Sequence, residues 1–200
     1  MGLFQIKPDI HYGANSLDIL RTLEMEKVFL VTDENMVKLK VINKVTNILK
    51  SRGIEAKVYS DVKPDPTDEE IIKGMLELSA YDPDCIIALG GGSPIDACKS
   101  MIYFTNQIKR AMGQNKKPKF IAIPTTSGTG SEVTSYAVVT TKDKKIPLSD
   151  SEMLPDIAIL NPEFIKTLSP SIIADTGMDV LTHAIEAYVS KSRNLFTNTF

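Results

Sequence analysis

Three short apolar runs constrain this chain more than any other feature. Lys27-Val-Phe-Leu-Val-Thr-Asp33, residues 84–89 and residues 119–123 are too short for helices. The first is β-branched and closes on an acid, the pattern of a parallel strand buried on both faces. Helical spacing fills the intervals. Met36, Leu39, Val41, Ile42, Val45, Ile48 and Leu49 predict one helix over 35–51, with Gly53 as its C-terminal stop. Thr67 reads as an N-cap with Asp68, Glu69 and Glu70 in the first turn, opening a helix to about Ala80, and 94–112 reads as another. Further strands are expected at 3–12, which holds the bystander His11, and at Ile54–Tyr59, with a short helix from Asn15 or Ser16 to Leu23 and a rigid loop at Pro64-Asp-Pro66. Such alternation implies βαβ units with right-handed crossovers, and ligands beyond the carboxyl ends of the strands. Residues 136–160 read as short strands and loops ending in Ala158-Ile-Leu160, and after Leu168-Ser-Pro170 only a helical pattern runs on to Val189. The expectation is therefore an α/β fold, a Rossmann-like mostly parallel sheet with flanking helices over 1–168. The start of an all-helical domain follows at 169–200, incomplete because about thirty residues cannot build their own core.

Charge narrows the partners. A net charge of −2 without a basic block argues against nucleic acid, which needs clustered Lys and Arg. The one basic cluster, Lys109 to Lys119, reads as a solvated helix end and loop. No apolar run approaches membrane length, and the N-terminus lacks a signal pattern, so a soluble cytoplasmic protein is expected. Cys85 and Cys98 read as small buried residues with reduced thiols, although two cysteines can also pair.

Chemistry gathers in four places. Ile86-Ile-Ala-Leu-Gly90-Gly-Gly-Ser93-Pro-Ile-Asp96 reads as strand, loop and helix, with Ser93 as cap and Pro94 at the first helical position. Glycines there let a pyrophosphate approach the backbone and the helix N-terminus, while the plainer reading is a turn without a ligand. Thr125-Thr-Ser-Gly-Thr-Gly-Ser131 is a second glycine and hydroxyl loop, either a phosphate or ribose clasp or a linker. Asp33 ends its strand where an acid can accept ribose hydroxyls and repel a 2′-phosphate, which favours NAD over NADP, or it caps the next helix. Asp179 and His183, four residues apart, share one helix face and can ligate one divalent metal, or form an ordinary surface pair.

Together these blocks resemble the iron-containing (group III) alcohol dehydrogenase family, chiefly through Gly90-Gly-Gly-Ser-Pro-Ile-Asp96, Ile123-Pro-Thr-Thr-Ser-Gly-Thr-Gly-Ser-Glu-Val-Thr134 and Thr176-Gly-Met-Asp-Val-Leu-Thr-His-Ala-Ile-Glu-Ala-Tyr188. Within it the chain is most similar to the 1-propanol dehydrogenases of propanediol-utilisation microcompartments. The resemblance implies Asp33 on the adenosine ribose and Gly91, Gly92 and Ser93 on the pyrophosphate. Asp96, Thr125, Thr126 and Ser127 complete the NAD site, with Lys145 and Leu160 nearer the nicotinamide. It further implies Asp179 and His183 as two ligands of Fe²⁺, with Zn²⁺ an alternative, and a small alcohol or aldehyde as substrate. Also implied are a homo-oligomer, a dimer, in the cytoplasm or inside a bacterial microcompartment. Two departures stand out: Asp65 occupies a place where the family commonly has Asn, and the two histidines that complete the metal site lie in a region this chain lacks. The competing expectations are an incomplete nucleotide-binding fragment, inactive alone, or a fold relative such as a glycerol dehydrogenase or a dehydroquinate synthase.

Overall fold

The computed structural model describes residues 7–114, 117–142, 144–166 and 168–195. In chain order the elements are β1 (Asp9–Tyr12), β2 (Lys27–Asp33), α1 (Glu34–Lys38), α2 (Asn43–Ser51), β3 (Glu55–Val62), α3 (Asp68–Tyr81), β4 (Cys85–Gly90), α4 (Gly92–Ala111) and β5 (Lys119–Pro124). They continue with β6 (Tyr136–Thr141), β7 (Lys144–Ser149), β8 (Ile157–Leu160), α5 (Pro162–Ile165) and α6 (Pro170–Val189), and short 3₁₀ turns lie at Ser16–Arg21, Ser131–Val133 and Ser151–Met153.

Six strands form one sheet in the order β1-β8-β5-β4-β2-β3, and every pairing in it is parallel. The central strands are buried on both faces, as their unbroken apolar runs require. Val28, Leu30, Ile87 and Leu89 point into a core with Met36, Val45, Leu49 and Phe164. Phe29, Val31, Ile86 and Ala88 point the other way, toward Ile71, Leu78, Ile95 and Met101. β6 and β7 form a separate antiparallel hairpin.

Several boundaries differ from the sequence expectation. The helix expected over 35–51 is two helices, because Lys40 takes a left-handed backbone (φ 57) and stops α1. Helical spacing survives a one-residue excursion of this kind, so periodicity alone does not reveal it. The strand expected at 54–59 runs on to Val62. Residues 3–6 of the expected first strand lie outside the described residues, and strand geometry starts at Asp9. Thr67 caps α3 through a full capping box with Glu70. Of the basic cluster, Lys109 pairs with Asp82, and Arg110 and Lys117 both reach Glu152, so these side chains are tied down as well as solvated. Cys85 and Cys98 are free and buried, and burial pushes the Cys85 thiol up to about 12. Among the described residues no helix is long and apolar enough to cross a membrane.

One polar contact ties the sheet together near its carboxyl edge. Thr32 Oγ1 donates to the Leu89 carbonyl at 2.8 Å across the β2–β4 boundary, in a fully buried setting. Thr32→Val should cost about 1 kcal/mol by removing that hydrogen bond. Urea unfolding checks this: the midpoint should fall with the slope unchanged.

Candidate active site

The chain leaves β2 toward β3 on one side of the sheet and leaves β4 toward β5 on the other. The connections therefore diverge between the carboxyl ends of β2 and β4, and a crevice opens at that switch point. Asp33 closes β2 and Gly90 closes β4. Asp33 Oδ1 accepts the N–H groups of Asn35 (2.8 Å) and Met36 (3.1 Å), so the capping expectation holds. Its other oxygen faces the glycines: a β-carbon placed on Gly90 would lie 3.4 Å from Oδ2.

Gly90 has φ 152, and a β-carbon there would stand 2.6 Å from Pro94 Cγ, so a side chain is excluded. The turn is made so early that helical geometry begins at Gly92. Gly91 is consequently the N-cap, with no side-chain hydrogen bond, and Ser93, expected to cap, sits inside the first turn. The N–H groups at this end of a twenty-residue helix have no side-chain cap, which suits an anion.

The second glycine loop packs directly onto the first. Thr125 is buried and donates its N–H to the Gly90 carbonyl at 2.9 Å. A β-carbon on Gly91 would come 3.4 Å from Thr126, and one on Gly92 would come 2.8 Å from Thr129 Cγ2. Ser127 is exposed.

A cleft of about 800 Å³ opens over these loops, and its lining includes Gly92, Ser93, Asp96, Lys145, Asp179 and His183. Six of the expected site residues thus share one cavity. Asp33, Gly91, Thr125, Thr126 and Ser127 are not among the residues that line it. Leu160 does not join them: it ends β8 beside Tyr12 of β1, at the far side of the sheet order. Lys145 Nζ meets Asp65 Oδ1 at 2.6 Å, so the acid found in place of the usual Asn forms an ion pair across the mouth, on a left-handed backbone (φ 55) that Asn also tolerates.

Asp179 and His183 stand on α6, of which no residue is fully buried. His183 Nδ1 lies 3.2 Å from the Gly128 carbonyl. A carbonyl only accepts, so a hydrogen bond here comes from Nδ1–H and turns Nε2 toward Asp179 Oδ1, at 3.8 Å. An imidazole nitrogen and a carboxylate oxygen are donors of the kind divalent cations take. Among the described residues no group of three potential ligands occurs. Gly128 is required by this docking, since a β-carbon there would lie 2.9 Å from the Thr176 carbonyl and 3.1 Å from Asp179 Oδ2.

The sequence reading missed Lys99. Its side chain is fully buried in α4, where it donates to Thr134 Oγ1 (3.0 Å) and to the Tyr136 carbonyl (2.8 Å). Burial lowers its pKa from 10.5 to about 8, and the carboxylates of Asp96 and Glu132 oppose that drop. Burial also raises both carboxyls. A signal existed: Lys99 follows Ile95 by four residues and precedes Ile102 by three, on the apolar stripe of the helix.

The family model described as iron-containing alcohol dehydrogenase matches residues 8–162. An NADPH-dependent butanol dehydrogenase from Clostridium saccharobutylicum is 41% identical over 208 residues, covering 98% of this chain and 54% of that protein. A 1-propanol dehydrogenase, PduQ, from Citrobacter freundii is 38% identical over 200 residues, covering 99% of this chain and 52% of its own length. The chain thus spans about half the length of these curated relatives. Among solved structures, a 1,3-propanediol oxidoreductase superposes with a TM-score of 0.87 at 29% identity, over 100% of this chain and 56% of that one. An iron-containing alcohol dehydrogenase from Thermococcus thioreducens gives 0.87 at 30% identity, over 97% and 56%.

Two outcomes are expected. Gly128→Ala should loosen the seat of α6, so hydrogen exchange measured by mass spectrometry should quicken over 170–189 and stay unchanged over 85–90. The second concerns pH. The folded chain releases the Lys99 proton near 8 and the unfolded chain near 10.5, so the unfolded state binds more protons in between and stability from this group rises with pH across that window. Melting temperatures of wild type and Lys99→Met should therefore shift in favour of wild type between pH 8 and pH 10.

Proposed function

This chain belongs to the iron-containing alcohol dehydrogenase family, and from that premise we propose that it forms the nucleotide-binding part and half of the metal site of an NAD(H)-dependent alcohol dehydrogenase. The reaction is interconversion of a short-chain primary alcohol and its aldehyde. One observation carries this reading: the uncapped N-terminus of α4 and the Asp179–His183 pair line the same cleft. Residues 1–168 serve as the dinucleotide domain, and 169–200 begin the helical metal-binding domain.

The N–H groups at Gly92 and Ser93 would hold the pyrophosphate, where the helix dipole favours negative charge. Thr125, Thr126 and Ser127 border it with hydroxyls, and Asp33 accepts the adenosine ribose hydroxyls through Oδ2. Lys145, on the hairpin, flanks the nicotinamide half, and Asp96 backs it. Leu160, carried over by resemblance, ends β8, two places along the sheet from β4, and is not among the residues that line the cleft. When bound, the nicotinamide would supply the acceptor for the carbinol hydride in alcohol oxidation, with the hydroxyl proton released to solvent. A divalent cation, Fe²⁺ or Zn²⁺, held by Asp179 and His183 with further ligands would supply Lewis-acid stabilisation of the substrate oxygen. The Gly128 carbonyl keeps the His183 ring turned so that Nε2 is the free nitrogen. A cytoplasmic or microcompartment setting and a dimer accompany this reading. The second reading, a nucleotide-binding module without turnover, draws on the fact that only two ligands stand together among the described residues.

An aldehyde panel with NADH, run anaerobically with Fe²⁺ or Zn²⁺ on this chain and on a form extended to the length of its relatives, separates the two readings. NADH binding without turnover in both forms would leave the module. For cofactor choice, Asp33→Ser should shift preference toward NADP by about tenfold or more while keeping a capping oxygen for α1, on the scale of one charge-assisted contact. Tighter binding of NADPH than NADH to the unmodified chain would overturn the role given to Asp33.

A further inference from the structure

We propose that Lys99 is a positioning residue: together with Asp96, one helical turn earlier, its buried ammonium fixes the 134–138 wall of the cleft against α4 so that the nicotinamide half of the cofactor is held. The inference rests on the nicotinamide-cofactor reading above.

Two side chains from one turn of α4 make three hydrogen bonds to that wall. Lys99 Nζ donates to Thr134 Oγ1 (3.0 Å) and to the Tyr136 carbonyl (2.8 Å), and Asp96 Oδ2 accepts the Val138 N–H (3.1 Å). Thr134, Tyr136 and Val138 all line the cleft. They lead into β6, whose hairpin partner β7 carries Lys145. The same helix begins at Gly92 beneath the pyrophosphate place. One rigid element therefore fixes both the phosphate loop and the opposite wall.

Stability alone would not call for a cation here. Moving an ammonium out of water is costly, and an apolar side chain of the same length would fill the space without that cost. Both hydrogen-bond partners of Lys99 are neutral, and the carboxylates of Asp96 and Glu132 act on it through charge rather than by a direct hydrogen bond. A methionine could not hold a hydroxyl and a carbonyl two residues apart at defined positions. Lysine donates to both at once and leaves their spacing little freedom.

The test compares NADH with ADP, which lacks the nicotinamide half, in titrations of the 200-residue chain at pH 7. Wild type, Lys99→Met and Lys99→Arg are measured below the melting temperature of the weakest variant. Lys99→Met should raise the NADH Kd about five- to tenfold, the scale of one net intramolecular hydrogen bond, while the ADP Kd stays within about twofold. Lys99→Arg, which keeps charge and donors, should recover part of the loss. A residue that only stabilises the fold would lower the melting temperature and move neither Kd, or move both together through the unfolded fraction, and either result overturns the proposal. Should Lys99→Met fail to fold, Thr134→Val removes only the hydroxyl acceptor and is held to the same split between NADH and ADP. No NADH binding to wild type would instead sink the nicotinamide reading, and the role of Lys99 with it.

Discussion

The site depends on a chain reversal made without side chains. β4 runs straight into α4, and the reversal is completed in the single step at Gly90, where a β-carbon would collide with the ring of Pro94. Because the turn is so tight, α4 starts directly over the sheet edge and its first-turn N–H groups remain uncapped. The next two glycines let Thr126 and Thr129 approach, so the 125–131 loop is packed against the first instead of hanging free. An added methyl at Gly90 would collide with Pro94 and one at Gly92 with Thr129, whereas one at Gly91 would only touch Thr126. The anion-binding geometry is thus a consequence of backbone packing, and only secondarily of any polar side chain.

α4 then acts as a gauge for the rest of the cleft. Its N-terminus faces the phosphate place, and one turn further on Asp96 and Lys99 grip the segment that becomes the hairpin. Lys145, at the hairpin's outer strand, is held in turn by Asp65, whose loop is tied to the hairpin by the Thr140 N–H on the Pro66 carbonyl at 3.0 Å. The mouth is therefore braced from both sides. Asp65 and Lys145 are well exposed, so their pair contributes little to stability and more to where the lysine rests.

Much of the fold was legible because it rests on periodicity. The runs at 27–33, 84–89 and 119–123 have no polar face, so helices had to cover them on both sides, and the strands they form pair in parallel. What periodicity misses are single-residue backbone events. The left-handed step at Lys40 divides one apparent helix in two, and the early turn at Gly90 moves the cap from Ser93 to Gly91. The glycine loops and the Asp179–His183 pair were legible as motifs, since each needs a residue type at a fixed spacing. Lys99 was not, because its partners are a hydroxyl and a carbonyl more than thirty residues away, which spacing does not reveal. Leu160, carried over by resemblance, ends its strand two places along the sheet from β4 and does not line the cleft.

α6 joins the two chemical halves at one point. It presents Ile172, Ile173, Met178, Leu181, Ile185 and Tyr188 in exposed positions, so burial of an apolar face does not set its orientation. What sets it is Gly128, whose missing side chain admits Thr176 and Asp179 and whose carbonyl receives His183. That glycine stands in the loop whose other residues touch Gly91 and Gly92. A displacement of the phosphate loop would therefore move the Gly128 carbonyl and, with it, the orientation of the His183 ring. The glycine loops at the end of β4 and the Asp179–His183 pair share a single stretch of backbone, so order in one is order in the other. Coupling of this kind needs no conformational switch, because contact through one loop is sufficient to transmit it.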